Sequence, residues 1–139
     1  KPVVRRLEVE MVASDGTSSS PILFNPYLLD KWNENPFKSR QRQYPVDFGV
    51  PVEMTTIVSL EYPAGLELVN LPDDLGLSLP GAGGRYIMNA SNLENKITLT
   101  NSLLINKTVF TSQEYHYLRE LFQKVVETQN TDLLFKKKT

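Results

Sequence analysis

Hydrophobic and polar residues alternate with a period of two along most of this chain, which is the pattern of strands that bury one face. Two segments carry this alternation most clearly, VEMTTIVSLEY at 52–62 and KITLTNSLLI at 96–105. Both are long enough to cross a sheet. Shorter runs of the same kind, separated by proline, glycine and polar residues, lie at 3–11, 22–24, 66–71, 76–79, 85–90 and 133–135.

One segment, residues 110–130, changes to the period of a helix. Thr111 and Glu114 stand three residues apart, which is the spacing of a capping box at a helix start. Asn130 is a suitable residue to end the helix. The apolar stripe of this predicted helix consists of Tyr115, Leu118, Leu121, Phe122, Val125 and Val126.

These elements predict a mainly β protein, with an immunoglobulin-like β-sandwich and one C-terminal amphipathic α-helix followed by a last strand. The alternation does not determine the strand order. The length of 139 residues suits one domain with one core, so we expect residues 1–139 to form a single β-sandwich domain. The chain begins at Lys1, without an initiator Met and on a strand-like pattern, and we expect it to be the C-terminal fragment of a larger protein.

Composition and charge narrow the function classes. The net charge of −1 provides no basic field for a nucleic-acid backbone, so we expect no nucleic-acid partner. The absence of cysteine excludes disulfides, thiolate metal sites and cysteine nucleophiles. No run of about 18 apolar residues predicts a membrane span. No stretch of these 139 residues has the pattern that predicts a signal peptide.

Two motifs resemble sites of phosphate chemistry, but their surroundings do not fit. Asp47-Phe48-Gly49 matches the metal-binding triplet of protein kinases, yet the other kinase motifs are missing, so we expect a strand end with a buried Phe and a turn Gly. The glycine-rich run Gly81–Arg85 lacks the Gly-Lys-Ser/Thr ending of a phosphate loop. A hairpin turn started by Pro-Gly explains that run better.

The titratable residues give little support for catalysis. His116 is the only histidine and lies beside the apolar stripe of the helix, so we expect it to be exposed. A hydrolase with a Ser-His-Asp triad that uses His116 is formally possible, because Ser and Asp are plentiful, but no nucleophile-elbow spacing accompanies it. The pair Asp73-Asp74 lacks the alternating oxygen ligands of a calcium loop. We predict no catalytic residue, no metal site and no cofactor.

The connection NPFKSRQRQYPVDFGVP, residues 35–51, concentrates turn signals, arginines and aromatic residues. If the segment is extended, Arg40 and Arg42 share one face and can tie it down through carboxylates or carbonyls. Asp47 is the obvious candidate partner. We therefore interpret residues 35–51 as an ordered joint in a scaffold, in preference to an active-site loop.

Aromatic residues around this connection leave two interpretations open. Tyr44 and Phe48 are expected to anchor the connection to the core, and aromatics beside proline-rich connections usually plug the end of a sandwich. Exposed rings would instead form a platform for a peptide or a sugar. The candidate binding residues for that second interpretation are Trp32, Phe37, Arg40, Arg42 and Tyr44.

Three stretches together resemble a known bacterial family: ENPFKSRQRQYPVDFGVP, then LEYPAGLELVNLPDDLGLSLPGAGGRY, then NKITLTNSLLINKTVFTSQEYHYLRELFQKVVETQNTDLLFKKK. The resemblance runs from about Leu7 to Lys138. Members of that family carry an N-terminal β-domain of unknown function, a transglutaminase-like domain with the papain fold, and a C-terminal β-domain of unknown function that this chain resembles. The catalytic Cys, His and Asp belong to the central domain, so the resemblance implies no catalytic role for any residue here.

The resemblance also implies export from a gram-negative cell, with a full-length protein in the periplasm or cell envelope. Our leading hypothesis is a non-catalytic accessory domain that packs on a neighbouring transglutaminase-like or cysteine-peptidase-like domain, or positions its substrate. It predicts an apolar patch on the surface of this domain. The alternative is an envelope module that binds glycan or peptide through exposed aromatics. The ligand and the oligomeric state stay open.

Overall fold

The computed structural model describes Arg6, Glu8, residues 22–28 and residues 31–137. The strand predicted at 3–11 therefore lies outside the described residues, apart from the exposed side chains of Arg6 and Glu8. The elements follow in chain order: strands β1 (Ile22–Phe24), β2 (Val46–Asp47), β3 (Val52–Glu61), β4 (Leu66–Leu68), β5 (Leu75–Ser78), β6 (Gly84–Leu93), β7 (Lys96–Ile105) and β8 (Val109–Phe110), helix α1 (Tyr115–Gln129), and strand β9 (Leu133–Lys137).

The described strands form three antiparallel sheets. The largest has the order β3-β7-β6-β5, the second has the order β1-β9-β4, and the smallest pairs β2 with β8. Strand β7 pairs along its whole length with β3 on one side and with β6 on the other. The prediction of a mainly β sandwich with one helix near the C-terminus and a final strand after it is confirmed.

The inner face of the four-stranded sheet is covered by two different elements. Ile97 and Leu99, in the first half of β7, pack in a cluster with Leu133 and Phe135 of the three-stranded sheet. Leu103 and Ile105, in the second half, pack in a cluster with the apolar side of α1. One sheet thus supports both the sandwich and the helix.

Helix α1 matches the prediction closely. The whole predicted stripe is buried except Val126, which is half-buried. Asn130 follows the helix, and its backbone N–H donates to the carbonyl of Val126 at 3.0 Å. Gln129 is also buried, at 7% exposure, although its amide is polar.

The glycine-rich run forms the turn between β5 and β6, as predicted. A single 3-10 turn at Pro80–Ala82 reverses the chain, with Gly81 at φ 68°. The N–H of Leu79 donates to the carbonyl of Gly84 at 2.8 Å and closes the hairpin. A Cβ atom on Gly84 would lie 2.7 Å from the carbonyl oxygen of Leu104, so this position has room only for glycine. The glycines here serve a turn and a close backbone contact.

Candidate functional site

The predicted joint at 35–51 is attached to α1 by side chains near its start, and from here on the name covers residues 31–51, which include the four residues before it. Asn35 accepts the N–H of Phe37 at 2.9 Å through its side-chain oxygen and donates from its side-chain nitrogen to the carbonyl of Arg119 at 2.9 Å. Arg119 returns a bond from Nε to the carbonyl of Phe37 at 3.1 Å. The hydroxyl of Tyr115 donates to the carbonyl of Ser39 at 2.7 Å. These bonds hold the joint on the helix in a defined conformation.

A second set of bonds fixes the start of the joint at the other end of α1. The N–H of Trp32 donates to Oε1 of Gln129 at 2.8 Å, and Nδ2 of Asn130 donates to the carbonyl of Trp32 at 2.8 Å. The carbonyl of Gln129 also accepts from Nδ2 of Asn25 at 2.9 Å. The side-chain oxygen and the backbone carbonyl of Gln129 thus each accept a bond from the segment at 25–32. Its burial could have been predicted from its position, because Gln129 lies four residues after Val125 and so continues the apolar stripe.

The aromatic residues of the joint differ in exposure. Phe37 is buried at 9% exposure and meets Tyr115 and Phe122 edge-on, with ring centroids 5.8 and 5.2 Å apart. Trp32 is half-buried and meets Phe122 at 5.4 Å. Tyr44 is 75% exposed, so the prediction that Tyr44 anchors the joint to the core is wrong. The carbonyl of Tyr44 is used by an arginine, and its ring is left in solvent.

Phe48 fulfils the anchoring role that the sequence assigned to it. Its ring lies edge-on to Phe37 and to Phe110, at centroid distances of 6.3 and 5.9 Å. The next residue, Gly49, has φ 76°, and its N–H donates to the carboxylate of Asp47 at 2.8 Å. Asp47-Phe48-Gly49 is therefore a strand end with a turn Gly, as predicted, but Phe48 is half-buried, whereas we expected a buried Phe.

The expected pairing of the two arginines with Asp47 is not formed. Asp47 instead caps its own turn through the N–H of Gly49. Arg42 donates from Nε to the carbonyl of Tyr44 at 3.0 Å, and its guanidinium carbon lies 6.0 Å from the ring centroid of Tyr115. The backbone N–H of a turn two residues away is an easier partner for a carboxylate than the guanidinium at the end of a long side chain.

Arg40 and Arg42 line an open depression where the joint meets the start of α1. The side chain of Arg40 is exposed, and within the described residues it makes no hydrogen bond or ion pair. His116 also lines the depression and is exposed, as predicted, with its ring centroid 3.8 Å from that of Tyr117. The remaining lining comes from Gln41, Ser112, Gln113 and Tyr115. The structure therefore brings together two of the five candidate binding residues at one concave surface.

The start of α1 beside this depression is held by the predicted capping box. The N–H of Thr111 donates to Oε1 of Glu114 at 2.9 Å, and the N–H of Glu114 donates to Oγ1 of Thr111 at 3.3 Å. Lys107 pairs with the same carboxylate at 2.5 Å. The bond from Lys107, followed by that from Thr111, lowers the pKa of Glu114 from 4.5 to about 2.

Two buried tyrosines share the amide of Asn101 at the middle of the sheet. Nδ2 of Asn101 donates to the hydroxyl of Tyr27 at 2.8 Å, and the hydroxyl of Tyr86 donates to Oδ1 of Asn101. Burial raises the pKa of Tyr27 and the pKa of Tyr86 above their ordinary value of 10. Both phenols therefore stay protonated at neutral pH and act as structural donors and acceptors.

The interior offers no room for a substrate near these tyrosines. The cavity beside Tyr86 and Asn101 has a volume of about 10 Å³, which is close to the space that one water molecule needs. Among the residues that the structure describes, no three of the His, Asp and Glu side chains are grouped to hold a metal ion. Asp73 is exposed, and Asp74 accepts the N–H of Ala90 at 2.9 Å.

Comparison with known proteins assigns the chain to a family. The profile of DUF3858, described as a domain of unknown function with a solved structure, matches residues 20–135. The chain therefore belongs to the DUF3858 family. No curated protein matches the sequence.

In the described part of the chain, no helix is long and apolar enough to cross a membrane.

One solved structure shares the fold. It is a crystal structure from Parabacteroides distasonis whose protein is described as a "putative protease", with a TM-score of 0.62 and 20% sequence identity. The match covers 70% of this chain and 19% of that one, so this chain spans about a fifth of the length of the larger protein. At this identity the similarity establishes the fold alone.

We expect the attachment of the joint to depend on Asn35. Asn35→Ala removes the acceptor of the Phe37 N–H and the donor to the Arg119 carbonyl, so the free energy of unfolding should fall by about 1–3 kcal/mol. Urea unfolding followed by the fluorescence of Trp32, the only tryptophan, measures this change directly at the joint. Asn33→Ala, at an exposed position of the same segment, is the control and should change stability by less than about 0.5 kcal/mol. Equal effects of the two substitutions would contradict an ordered joint.

We expect the capping box to make stability depend on pH. Because the pKa of Glu114 is lower in the folded state, its contribution is present above about pH 4.5 and is lost as the pH falls toward 2. The difference in melting temperature between the wild type and Glu114→Gln should therefore be constant above pH 5 and shrink between pH 4.5 and 2. Glu120→Gln, at an exposed position of the same helix, is the matched control. A difference that is independent of pH would show that the carboxylate charge has no role in the cap.

Proposed function

We propose that this chain is a non-catalytic accessory domain of an exported transglutaminase-like or cysteine-peptidase-like protein, and that it packs on the catalytic domain of the same polypeptide. The observation that carries the proposal is an apolar row across the outer face of the three-stranded sheet. Leu23 lies opposite Leu134 in the register of β1 and β9. On the other side of β9, the N–H of Val69 donates to the carbonyl of Leu134 at 2.8 Å.

The outer row has the character of an uncovered interface. Leu23 is 66% exposed and Val69 is 48% exposed, whereas Leu134 between them is half-buried. Glu67 and Lys136 form an ion pair at 3.1 Å on the neighbouring strands and supply a polar edge to the row. Apolar side chains at the centre with polar groups around them are typical of surfaces that meet another domain.

The occupant that we propose is the catalytic domain. The chain spans 19% of the length of the structure that it resembles, so a larger polypeptide of similar plan would have other domains for this face to meet. The described protease supports a catalytic neighbour by analogy of fold alone. The sequence has no cysteine, so the nucleophile of a transglutaminase-like or cysteine-peptidase-like enzyme would have to lie in that neighbour.

We expect the row to hold the two domains together. In the full-length polypeptide, a Leu23→Ser/Val69→Ser double variant should increase the rate at which trypsin releases this domain by about tenfold or more. Each apolar side chain contributes about 1.5 kcal/mol or more when buried, and 1.4 kcal/mol corresponds to a factor of ten.

Leu93→Ser is the matched control for the double variant, because Leu93 is 73% exposed at the far end of β6. It should leave the rate of release unchanged, and the 139-residue chain with the double substitution should melt as the wild type does. Release at the wild-type rate from the double variant, or faster release from Leu93→Ser, would refute docking through this row.

Export is the second part of the proposal, and it follows from the resemblance to exported transglutaminase-like proteins. An antibody raised against this 139-residue chain is expected to detect, in fractionated source cells, a band several times larger than 15.8 kDa in the periplasmic or envelope fraction. A cytoplasmic band at 15.8 kDa would contradict both the catalytic neighbour and the export.

A further inference from the structure

The depression beside the start of α1 has the chemistry of a site for an anionic group. Arg40 and Arg42 supply two permanent positive charges from one side, and Gln41 and Gln113 supply amide donors and acceptors. None of the side chains that line it is a carboxylate. The chain as a whole has a net charge of −1, so the positive charge of Arg40 and Arg42 is a property of this part of the surface and not of the whole protein.

Arg42 is oriented before any ligand arrives. Its Nε is bonded to the carbonyl of Tyr44 at 3.0 Å, and its guanidinium lies over the ring of Tyr115 at 6.0 Å. The hydroxyl of Tyr115 is in turn bonded to the carbonyl of Ser39, immediately before Arg40. An arginine that is held through Nε keeps its two terminal nitrogens for a bidentate contact. Because the side chain is already oriented, binding would cost less conformational entropy.

Two carboxylates of the described residues, Asp47 in the joint and Glu114 at the start of α1, are engaged elsewhere. Glu114 is held by Lys107 and by the N–H of Thr111, and Asp47 is held by the N–H of Gly49. The ion pairs among the described residues are formed by lysines, and neither Arg40 nor Arg42 takes part in one. The two guanidinium groups are therefore available to a carboxylate from outside the domain.

We propose that the depression binds the carboxylate side chain of an acidic peptide segment, with Arg42 as the bidentate contact and Arg40 as the second charge. A peptide fits better than a small inorganic anion, because the depression is open and its amide and hydroxyl groups are complementary to a peptide backbone. The exposed ring of Tyr44 extends the surface along which a peptide would lie. This proposal uses residues different from those of the docking row and does not depend on that row.

The test is an NMR titration of the ¹⁵N-labelled 139-residue chain with an octapeptide of alternating Glu and Gly. Backbone signals of the joint and the Nε–H signal of Arg42 should shift on binding. Replacement of Glu by Gln in the peptide should weaken binding about tenfold, as expected for the loss of charged hydrogen bonds. Arg42→Gln and Arg40→Gln should each weaken binding of the Glu peptide, and added salt should weaken it further.

Two controls keep the test specific. Arg85→Gln removes an exposed arginine from the outer face of the four-stranded sheet and should leave the affinity unchanged. Arg40→Gln breaks no hydrogen bond or ion pair in the described structure, so a loss of binding in that variant is not a loss of folding. Equal affinities for the Glu and Gln peptides, or an equal loss in Arg85→Gln, would overturn the proposal. Tighter binding of inorganic phosphate than of the Glu peptide would overturn the assignment to a peptide.

Discussion

The pairing of β7 on both of its sides is the constraint on which the rest of the structure depends. Every second residue of β7 from Ile97 to Ile105 is buried, so its sheet needs a cover along the whole inner face. Two covers share that face, the three-stranded sheet over one half and helix α1 over the other. Asn101 occupies the middle position, between the two apolar clusters.

A buried amide at the boundary of two clusters needs its own partners, because an unsatisfied polar group in the interior is costly. Tyr27 and Tyr86 provide them from the segment after β1 and from β6. Since hydrogen bonds require specific distances and angles, this contact defines the relative position of the elements more narrowly than apolar packing does. Asn101 thus fixes the position of the segment after β1 relative to the four-stranded sheet.

Helix α1 has a second packing requirement, and the joint satisfies it. The helix lies against the sheet with one side, and Phe37, Trp32 and their hydrogen bonds cover part of what remains. Both ends of α1 contribute, through Tyr115 at the start and Gln129 at the end. The joint is consequently ordered by the helix that it covers, and its exposed arginines are presented from a rigid support.

The sequence predicted the helix and the strands whose hydrophobic residues repeat with one period. It did not predict which partner a side chain binds where several partners compete. The strand β7 and the stripe of α1 are decided by local alternation, which can be read directly. The two-residue pairing of β2 with β8 brings together segments more than 60 residues apart and carries no periodic signal. The carboxylate of Asp47 could have paired with an arginine or accepted a nearby backbone N–H. It accepts the N–H of Gly49. Gln129 was missed because its polar side chain interrupts the apolar pattern that its position continues.

That failed pairing bears directly on function. Had Asp47 paired with one of the two arginines, only the other guanidinium would lack a carboxylate partner. Because Asp47 accepts the N–H of Gly49 and Glu114 accepts the N–H of Thr111 and pairs with Lys107, neither carboxylate compensates the guanidinium groups of Arg40 and Arg42. A scaffold can therefore be fully ordered and still expose charge for a partner. The proposed recognition of an acidic peptide therefore rests on the same residues that make the joint an ordered contact.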